Sequence, residues 1–338
     1  MKRSRLYQKS STWMIDDRYL IIDGLNLFMR HYVAHPAMSE NGDQVGGLVG
    51  FFNNLTRLIG RCRPERVIVV WEGGGSKRKR AIYSDYKKGS RPQKLNRYYD
   101  HAELPDSIRN RNFQMFNLVK LLDLVPVTQI YIEDAEADDA IGYLTKYKLS
   151  DKNNIIVSSD HDYYQLLNDS TLIWSPTLKS FVDKVKVIDR FHTHPENFCL
   201  AKSVVGDTSD NITGIRGVGY KTLSKCFQDV SEAAPYSISS LIKDAKKFSL
   251  SSKRKIYKNV ISDEKLIRRN WKLILLDVNN LSHKQVSKLD NKVENFTLSW
   301  KNIEAHKLLN KLGIRGVDLL TCNQIFKQLN RRKKDVHR

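Results

Sequence analysis

Four short apolar segments, each followed by an acidic residue, constrain the fold of this chain more than any other feature. They lie at residues 19–22, 66–71, 127–132 and 155–157 and are rich in Ile and Val. Such runs are typical of strands buried on both faces of a parallel sheet, and helix-patterned segments at 46–59 and 110–124 separate the first three. The sequence therefore predicts an α/β fold, with a mostly parallel sheet flanked by helices and a helical region after about residue 195. Residues 171–174 and 180–187 are candidate edge strands.

The acids at the strand ends form the main candidate site. They are Asp23, Glu72, Glu136, Asp138, Asp139, Asp160 and Asp162, and Asp207 and Asp210 follow in the helical part. The carboxyl ends of the strands in an open α/β sheet meet at one edge, so we expect these side chains to gather there. Helix capping or solvation explains one such acid alone, but not four successive strand ends in a basic chain.

Hard oxygen ligands without Cys or paired His favour Mg²⁺ or Mn²⁺. Because Mg²⁺ keeps several waters and takes few carboxylates, this set of acids exceeds the needs of one ion. We therefore expect two ions about 4 Å apart, an arrangement used for displacement at phosphodiesters. His161, His192 and His194 are better explained as oriented loop side chains than as ligands, because the acids already suffice.

The charge of the chain points to a polyanionic partner. It has 57 Lys+Arg against 37 Asp+Glu, a net charge of +20, and nucleic acid fits this excess better than a membrane surface does. No apolar run reaches membrane-spanning length, and the four cysteines form no CxxC pair. Reduced thiols and the absence of a leader pattern predict a cytoplasmic protein.

Two further segments are suited to binding phosphates. Residues 77–97 carry many cations and one acid, Asp85, with tyrosines between them that either stack on bases or pack internally. Residues 214–222 read GIRGVGYKT, whose glycines allow a tight turn that presents backbone N–H groups to a phosphate. The pentapeptide GIRGV recurs at 313–317, but Asp318 replaces the second hairpin glycine, so we interpret this copy as coincidence.

These motifs together resemble the structure-specific 5′ nucleases, which comprise flap endonucleases, phage RNase H-type exonucleases and the 5′-nuclease domain of bacterial DNA polymerase I. The matching pieces, in the family's order, are LIIDGLNL, VVWEGGGS, DYKKGSRP, AEADDAIGYL, VSSDHDYYQLL and GDTSDNITGIRGVGYKT. They cover about residues 19–225, and a looser match, EKLIRRNWKLILLD, extends the resemblance to about 277.

The resemblance implies a division of the chain and a set of roles. It implies a basic lead-in at 1–18, a PIN-like catalytic domain at 19–194 with a basic arch at about 73–100, a helix–three-turn–helix DNA-binding domain at 195–300, and a helical C-terminal segment with a basic tail at 301–338. The nine acids become ligands of two Mg²⁺ or Mn²⁺ ions, and the 214–222 hairpin becomes a K⁺ site. The implied DNA-binding residues are Arg30, Lys77, Arg78, Lys79, Arg80, Tyr83, Tyr86, Gly214, Gly217, Gly219, Lys221, Thr222 and Lys225.

Two departures from the family pattern leave alternatives open. Glu72 stands where the family usually has Asp, so it ligates either directly or through water. The arch motif YKKGSR is one residue longer than the commonest form. Either Lys87 or Lys88 is then the catalytic lysine beside Arg91, and we favour Lys87 because it directly follows Tyr86.

The implied activity is metal-dependent 5′-3′ exonuclease or flap endonuclease cleavage of DNA with a 5′ flap or 5′ end and of RNA–DNA hybrids, which removes primers and flaps during replication. A single-strand binding protein or a sliding clamp is the implied protein partner, and we expect a monomer in the cytosol of a bacterium or infected host. A non-catalytic structure-specific DNA-binding protein is the alternative, and it predicts lost carboxylates. A toxin-type PIN RNase predicts a shorter chain without the hairpin. No motif assigns a role to residues 280–338.

Overall fold

A six-stranded sheet forms the centre of the computed structural model, which describes residues 18–88, 104–296 and 299–335. Its strands are β1 (Arg18–Asp23), β2 (Arg66–Gly73), β3 (Thr128–Glu133), β4 (Asn153–Val157), β5 (Thr171–Ser175) and β6 (Ser180–Val182). They lie in the order β3-β2-β1-β4-β5-β6; all neighbours are parallel except β5 and β6. The predicted α/β fold is confirmed, and the four strands that end in acids are neighbours.

The central strand explains why the apolar runs are uninterrupted. In β1, Leu20 and Ile22 face one core and Tyr19 and Ile21 face the other, and all four are buried. Because both faces of the sheet are covered, successive residues must be apolar rather than alternating.

Three helices cover the first face: α1 (Gly24–Ala34), α2 (Gly46–Cys62) and α4 (Leu104–Leu122). α2 ends where Arg63 adopts a left-handed conformation, with φ of 48°, just before Pro64. Between β2 and α4 lies the short α3 (Lys77–Ile82), which is capped by the Ser76 side chain. Both helices predicted in this region are present, with slightly different bounds.

On the second face lie α5 (Ala137–Tyr143), a π-helical turn (Leu144–Lys148), a 3-10 turn (His161–Leu166) and α6 (Lys184–Phe191). The predicted edge strand at 180–187 is wrong beyond Val182. Asp183 caps α6 by accepting a hydrogen bond from the Lys186 N–H, which starts a helix at this point instead.

A separate helical core follows the sheet. Its elements are α7 (Phe198–Val205), α8 (Tyr220–Cys226), α9 (Ile238–Ser251), α10 (Lys255–Ser262) and α11 (Glu264–Ile274). Between α7 and α8, two-residue strands β7 (Gly206–Asp207) and β8 (Ile212–Thr213) pair in antiparallel fashion. The predicted change from alternating strands and helices to helices is therefore confirmed.

The last helices return to the sheet. α12 (His283–Glu294) buries Leu289 and Val293 against the second face, while α13 (Asn302–Lys311) and α14 (Leu319–Asp335) pack on the first face beside α2. The division at residues 195 and 301 stays a prediction, and the packing adds that α13 and α14 share one core with α1, α2 and α4. Among the described residues, no helix has the length and apolar character needed to cross a membrane.

Candidate active site

Two compact groups of carboxylates lie at the carboxyl edge of the sheet. The ligand atoms of Glu136, Asp138 and Asp139 lie within 4.8 Å of one another, and we call these residues triad A. The ligand atoms of Asp162, Asp207 and Asp210 satisfy the same limit and form triad B. Six of the nine predicted metal-site acids are thus gathered into two groups of three.

The other three acids lie next to the triads. Asp23 ends β1 and caps α1, accepting hydrogen bonds from the Asn26 N–H at 3.1 Å and the Tyr163 hydroxyl at 3.1 Å. The pKa of Asp23 is raised to about 7, chiefly by burial; the charges of Asp160 and Glu72 also raise it, and the two hydrogen bonds lower it. Glu72 and Asp160 are therefore close enough to Asp23 to act on it electrostatically, although neither belongs to a triad.

The short β7–β8 hairpin brings two acids of triad B to the sheet. Asp207 caps the turn that follows it, and Asn211 ends this turn in a left-handed conformation with φ of 60°. Gly206 has a φ of 87°, and a Cβ there would lie 2.4 Å from the Gly214 nitrogen. Only glycine fits this close backbone approach.

Each triad encloses a buried lysine. The Lys79 Nζ lies 2.8 Å from Glu136 Oε2, 3.2 Å from Asp139 Oδ2 and 3.5 Å from Asp138 Oδ1. The predicted role of Lys79 in DNA contact is wrong, because its ammonium group is enclosed by carboxylates and the residue is 2% exposed.

In triad B the corresponding cation is Lys202, on α7, which pairs with Asp162 and lies 2.7 Å from Asp207 Oδ2. Burial acts to lower the pKa of Lys202, but these carboxylates raise it overall. Sequence reasoning missed Lys202. The available signal was a lone cation within the apolar segment 198–205, shortly before Asp207.

Lys87 bridges the two triads. Its Nζ lies 2.7 Å from Glu136 Oε1 and 3.8 Å from Asp210 Oδ2, and its backbone N–H donates to the Asp210 carbonyl at 2.9 Å. Burial acts to raise the pKa of Glu136, but Lys79 and Lys87 lower it to about 2. Lys88 is exposed and pairs with Asp85 at 3.3 Å, which supports Lys87 as the lysine of the site. Arg91 lies outside the described residues.

The two candidate stacking tyrosines pack internally. Tyr86 is buried and its hydroxyl donates to Glu136 Oε2 at 2.8 Å, so the prediction that it stacks on a base is wrong and the packing alternative holds. The Tyr83 ring lies 4.1 Å from the Arg269 guanidinium.

The other predicted DNA-contacting cations of α3 have exposed side chains. Lys77 pairs with Asp134, Arg78 with Asn279 and Asn280, and Arg80 with the Gly74 carbonyl.

The histidines that were set aside as ligands have other partners. The His161 ring stacks on Tyr164 at 4.9 Å and lies edge-on to Phe191 at 5.3 Å. His192 ends α6 in a left-handed conformation, and the His194 side chain accepts a hydrogen bond from the Glu196 N–H.

Arg30, which was predicted to contact DNA, lies near the acids on α1. Its Nη1 donates to the Thr177 hydroxyl at 2.9 Å, and Thr177 is in turn hydrogen-bonded to the Ser159 hydroxyl at 2.8 Å. Ser159 directly precedes Asp160, so this guanidinium lies along the same edge of the sheet as the acids.

The glycine hairpin forms a second, basic surface. Gly217 has a φ of 76°, and a Cβ at Gly217 or Gly219 would meet no atom within 4 Å. Gly214 differs, because a Cβ there would lie 2.0 Å from the Val205 carbonyl oxygen, so packing alone requires this glycine. Beside the hairpin is a cavity of about 530 Å³ whose polar and basic lining comprises Arg216, Thr222, Lys225, Arg254, Lys255 and Asn259. Lys221, next to it in sequence, is exposed.

The donor set of the triads fits hard divalent cations. Carboxylate oxygens make up both groups, and oxygens are the ligands that hard divalent cations prefer. Burial raises the pKa of Asp138, Asp139 and Asp210, and raises that of Asp162 to about 7. Acids whose charged form is this unfavourable gain from a bound cation.

Comparison with known proteins gives a consistent result. Residues 18–192 match the family described as 5′-3′ exonuclease, N-terminal resolvase-like domain. A 5′-3′ exonuclease of Aquifex aeolicus is 27% identical over 303 residues, which cover 88% of this chain and 98% of the relative. The flap endonuclease Xni of Shewanella denitrificans is 30% identical over 207 residues, covering 60% of this chain and 74% of the relative. The chain spans about a quarter of the length of the DNA polymerase I relatives that it also matches.

Among solved structures, T5 5′-exonuclease with bound zinc superposes with a TM-score of 0.65 at 20% identity. The superposition covers 87% of this chain and 99% of that chain. This likeness shows that the fold is shared over the superposed part of this chain, which extends into the helices that follow the sheet.

Proposed function

Because this chain belongs to the 5′-3′ exonuclease family, we propose that it is a metal-dependent 5′ nuclease which hydrolyses phosphodiesters near the 5′ ends of branched DNA and RNA–DNA hybrids. The observation that carries this proposal is the pair of carboxylate triads at one edge of the sheet. The products would have 5′-phosphate and 3′-hydroxyl ends.

We assign the nine acids to two Mg²⁺ or Mn²⁺ ions. Triads A and B supply the ligands in this proposal, with Asp23, Glu72 and Asp160 beside them acting directly or through water. When bound, the two ions would generate a nucleophilic water and stabilise the leaving 3′ oxygen. In this proposal the carboxylates hold and orient the metal ions, and none of them needs to carry a proton during the hydrolysis.

Lys87 and Arg91 would stabilise the charge that develops on the scissile phosphate. The position of Lys87 between the triads supports this role, because a phosphate held through metal ions in both triads would lie next to its ammonium group. Arg30 would contact a neighbouring phosphate from the other side of the acids.

The hairpin would grip the duplex part of the substrate. Its Gly217 and Gly219 surfaces are open to solvent, and Lys221, Thr222 and Lys225 add donors for phosphate oxygens. The K⁺ site at 214–222 and the helix–three-turn–helix division at 195–300 stay part of the proposal. A 5′ flap would pass through the basic arch at about 73–100, where Lys77, Arg78 and Arg80 are exposed.

In replication, this activity would remove RNA primers and flaps. A single-strand binding protein or a sliding clamp would deliver the enzyme, acting as a monomer, to such ends in the cytosol of a bacterium or infected host.

The experiment uses a labelled 5′-flap DNA and a 5′-recessed RNA–DNA hybrid, each with Mg²⁺ and with EDTA. We expect cleavage of at least one substrate only with Mg²⁺, and a loss of at least about 100-fold for Asp210→Asn because it removes one charged ligand. The control is Asp151→Asn, whose carboxylate is exposed and precedes β4, at the opposite end of that strand from Asp160 and Asp162. Binding of the flap without any cleavage would favour the non-catalytic alternative and reject the nuclease.

A further inference from the structure

Lys79 differs from the other cations of the basic segment in its burial and its partners. Its side chain is 3% exposed, whereas that of Lys77 on the same helix is 74% exposed. The Ser76 hydroxyl accepts a hydrogen bond from the Lys79 N–H at 3.1 Å and thereby fixes the start of α3. The ammonium group is thus held among the three carboxylates of triad A by a capped helix.

Lys87 reaches triad A from the other side but is held less firmly. It lies beyond the end of α3 in a left-handed backbone conformation with φ of 52°, and its side chain is 36% exposed. Tyr86 lies between the two lysines, with its ring centroid 6.0 Å from Lys79 Nζ and 5.3 Å from Lys87 Nζ. Lys87 can therefore turn towards a phosphate while Lys79 stays in place.

A buried group of three carboxylates is unstable without a cation. Like charges within 4.8 Å repel strongly in a buried environment. One ammonium group at 2.8–3.5 Å from all three reduces the net charge of the triad from −3 to −2. Lys87 also pairs with Glu136 in this structure. Once Lys87 turns towards a phosphate, the remaining charge of −2 is matched by one divalent ion.

We propose that Lys79 is a permanent counter-ion of triad A. Its ammonium group stabilises the folded arrangement of the three carboxylates in the absence of metal, and it lowers the affinity of the triad for its divalent ion. The inference rests on the proposed function in that it takes triad A as a metal site. It goes beyond that function, because it assigns a role in metal affinity to a residue that contacts neither substrate nor phosphate. The same ammonium group stabilises the metal-free protein and opposes metal binding.

The test is Lys79→Met, which keeps most of the aliphatic stem and removes the charge. We expect Mn²⁺, titrated by electron paramagnetic resonance, to bind about tenfold or more tightly, because one repelling charge beside the ion is gone. We also expect the melting temperature to fall in EDTA and to recover largely with Mn²⁺. The matched control, Lys77→Met, should change neither quantity.

A scaffolding role for Lys79 predicts the opposite direction. If Lys79 only positioned the carboxylates, Lys79→Met would bind Mn²⁺ with equal or weaker affinity and would be equally destabilised with and without metal. Either result would overturn the proposal.

A second variant covers the case in which Lys79→Met does not fold in EDTA. Lys79→Met combined with Asp138→Asn removes one cation and one anion, and the asparagine oxygen can still accept from the Asp139 N–H as Asp138 does. The double variant should regain folding in EDTA, and a double variant that also stays unfolded would overturn the charge argument. Cleavage assays are separate from these readouts, so wild-type protein that binds Mn²⁺ but cuts no substrate would reject the proposed function alone.

Discussion

Single buried ionisable side chains determine much of the electrostatics of this chain. Lys79 and Lys202 each lie within a carboxylate triad, so neither cation is free to contact a phosphate. Lys87 links both triads and is also partly exposed. At the scale of single residues, the burial of a lysine side chain decides whether it can contact the substrate. Its distance along the sequence from an acid does not.

His31 provides a residue-scale prediction on pH. Its pKa is lowered to about 4, chiefly by burial and in part by the nearby charges of Arg30, His35 and Arg57. In the unfolded chain its pKa is near 6.5, so between these values the unfolded state binds more protons and folding stability falls as pH decreases. We expect His31 to account for up to about 3 kcal/mol of this loss.

The measurement is urea unfolding at pH 7 and pH 4.5 for wild type and His31→Leu. Other groups titrate in both proteins, so the difference between the two pH dependences isolates His31. An equally steep loss of stability in the variant would contradict the prediction.

At the scale of elements, the packing of α1 against α2 requires a glycine. A Cβ at Gly50 would lie 2.6 Å from His31 Nδ1. Alanine normally stabilises a helix relative to glycine by about 1 kcal/mol, but here the clash should outweigh that gain. We expect Gly50→Ala to lower the free energy of unfolding by about 1–3 kcal/mol.

Gly60 on the same helix is the matched control for this prediction. A Cβ there would meet only the flexible end of Ile325, at 3.3 Å. Gly60→Ala should therefore be neutral or stabilising in the same denaturant titration. Equal stability of the two variants would show that α1 and α2 can shift apart enough to accommodate a Cβ at position 50.

The secondary-structure elements also show which parts of the site can be predicted from the sequence. The four acid-ending strands follow from local apolar runs, and parallel topology then places their ends together. The role of Lys79 does not follow, because the composition of residues 77–97 predicts a single basic surface. On α3, helical spacing turns Lys79 inwards and leaves Lys77, Arg78 and Arg80 exposed, and its partners lie about sixty residues away in the chain.

At the scale of the whole molecule, the C-terminal region completes the first core. Phe326 on α14 is fully buried, with its ring 5.9 Å from Phe52 and 5.0 Å from Trp300. The sequence carried no motif for residues 280–338, because helices that fill a core show only ordinary amphipathic patterning. The second GIRGV copy belongs to this region, and its Ile314 and Val317 are buried in the same core.

Removing the Phe326 side chain should destabilise the entire protein. We expect Phe326→Ala to lower the free energy of unfolding by about 3–5 kcal/mol, because a large cavity forms next to α2. Leu320→Ala, on the same helix but 80% exposed, should have little effect. A Phe326→Ala variant as stable as Leu320→Ala would mean that α14 does not support the core.

The late position of Phe326 in the chain has a consequence for protein synthesis. The ribosome finishes Asp210, and with it the last acid of both triads, more than one hundred residues before it adds Phe326. At bacterial elongation speeds this interval lasts roughly ten seconds. Throughout that time the part of α2 that α14 covers stays exposed, so we expect chaperones that bind exposed apolar helices to associate with the nascent chain.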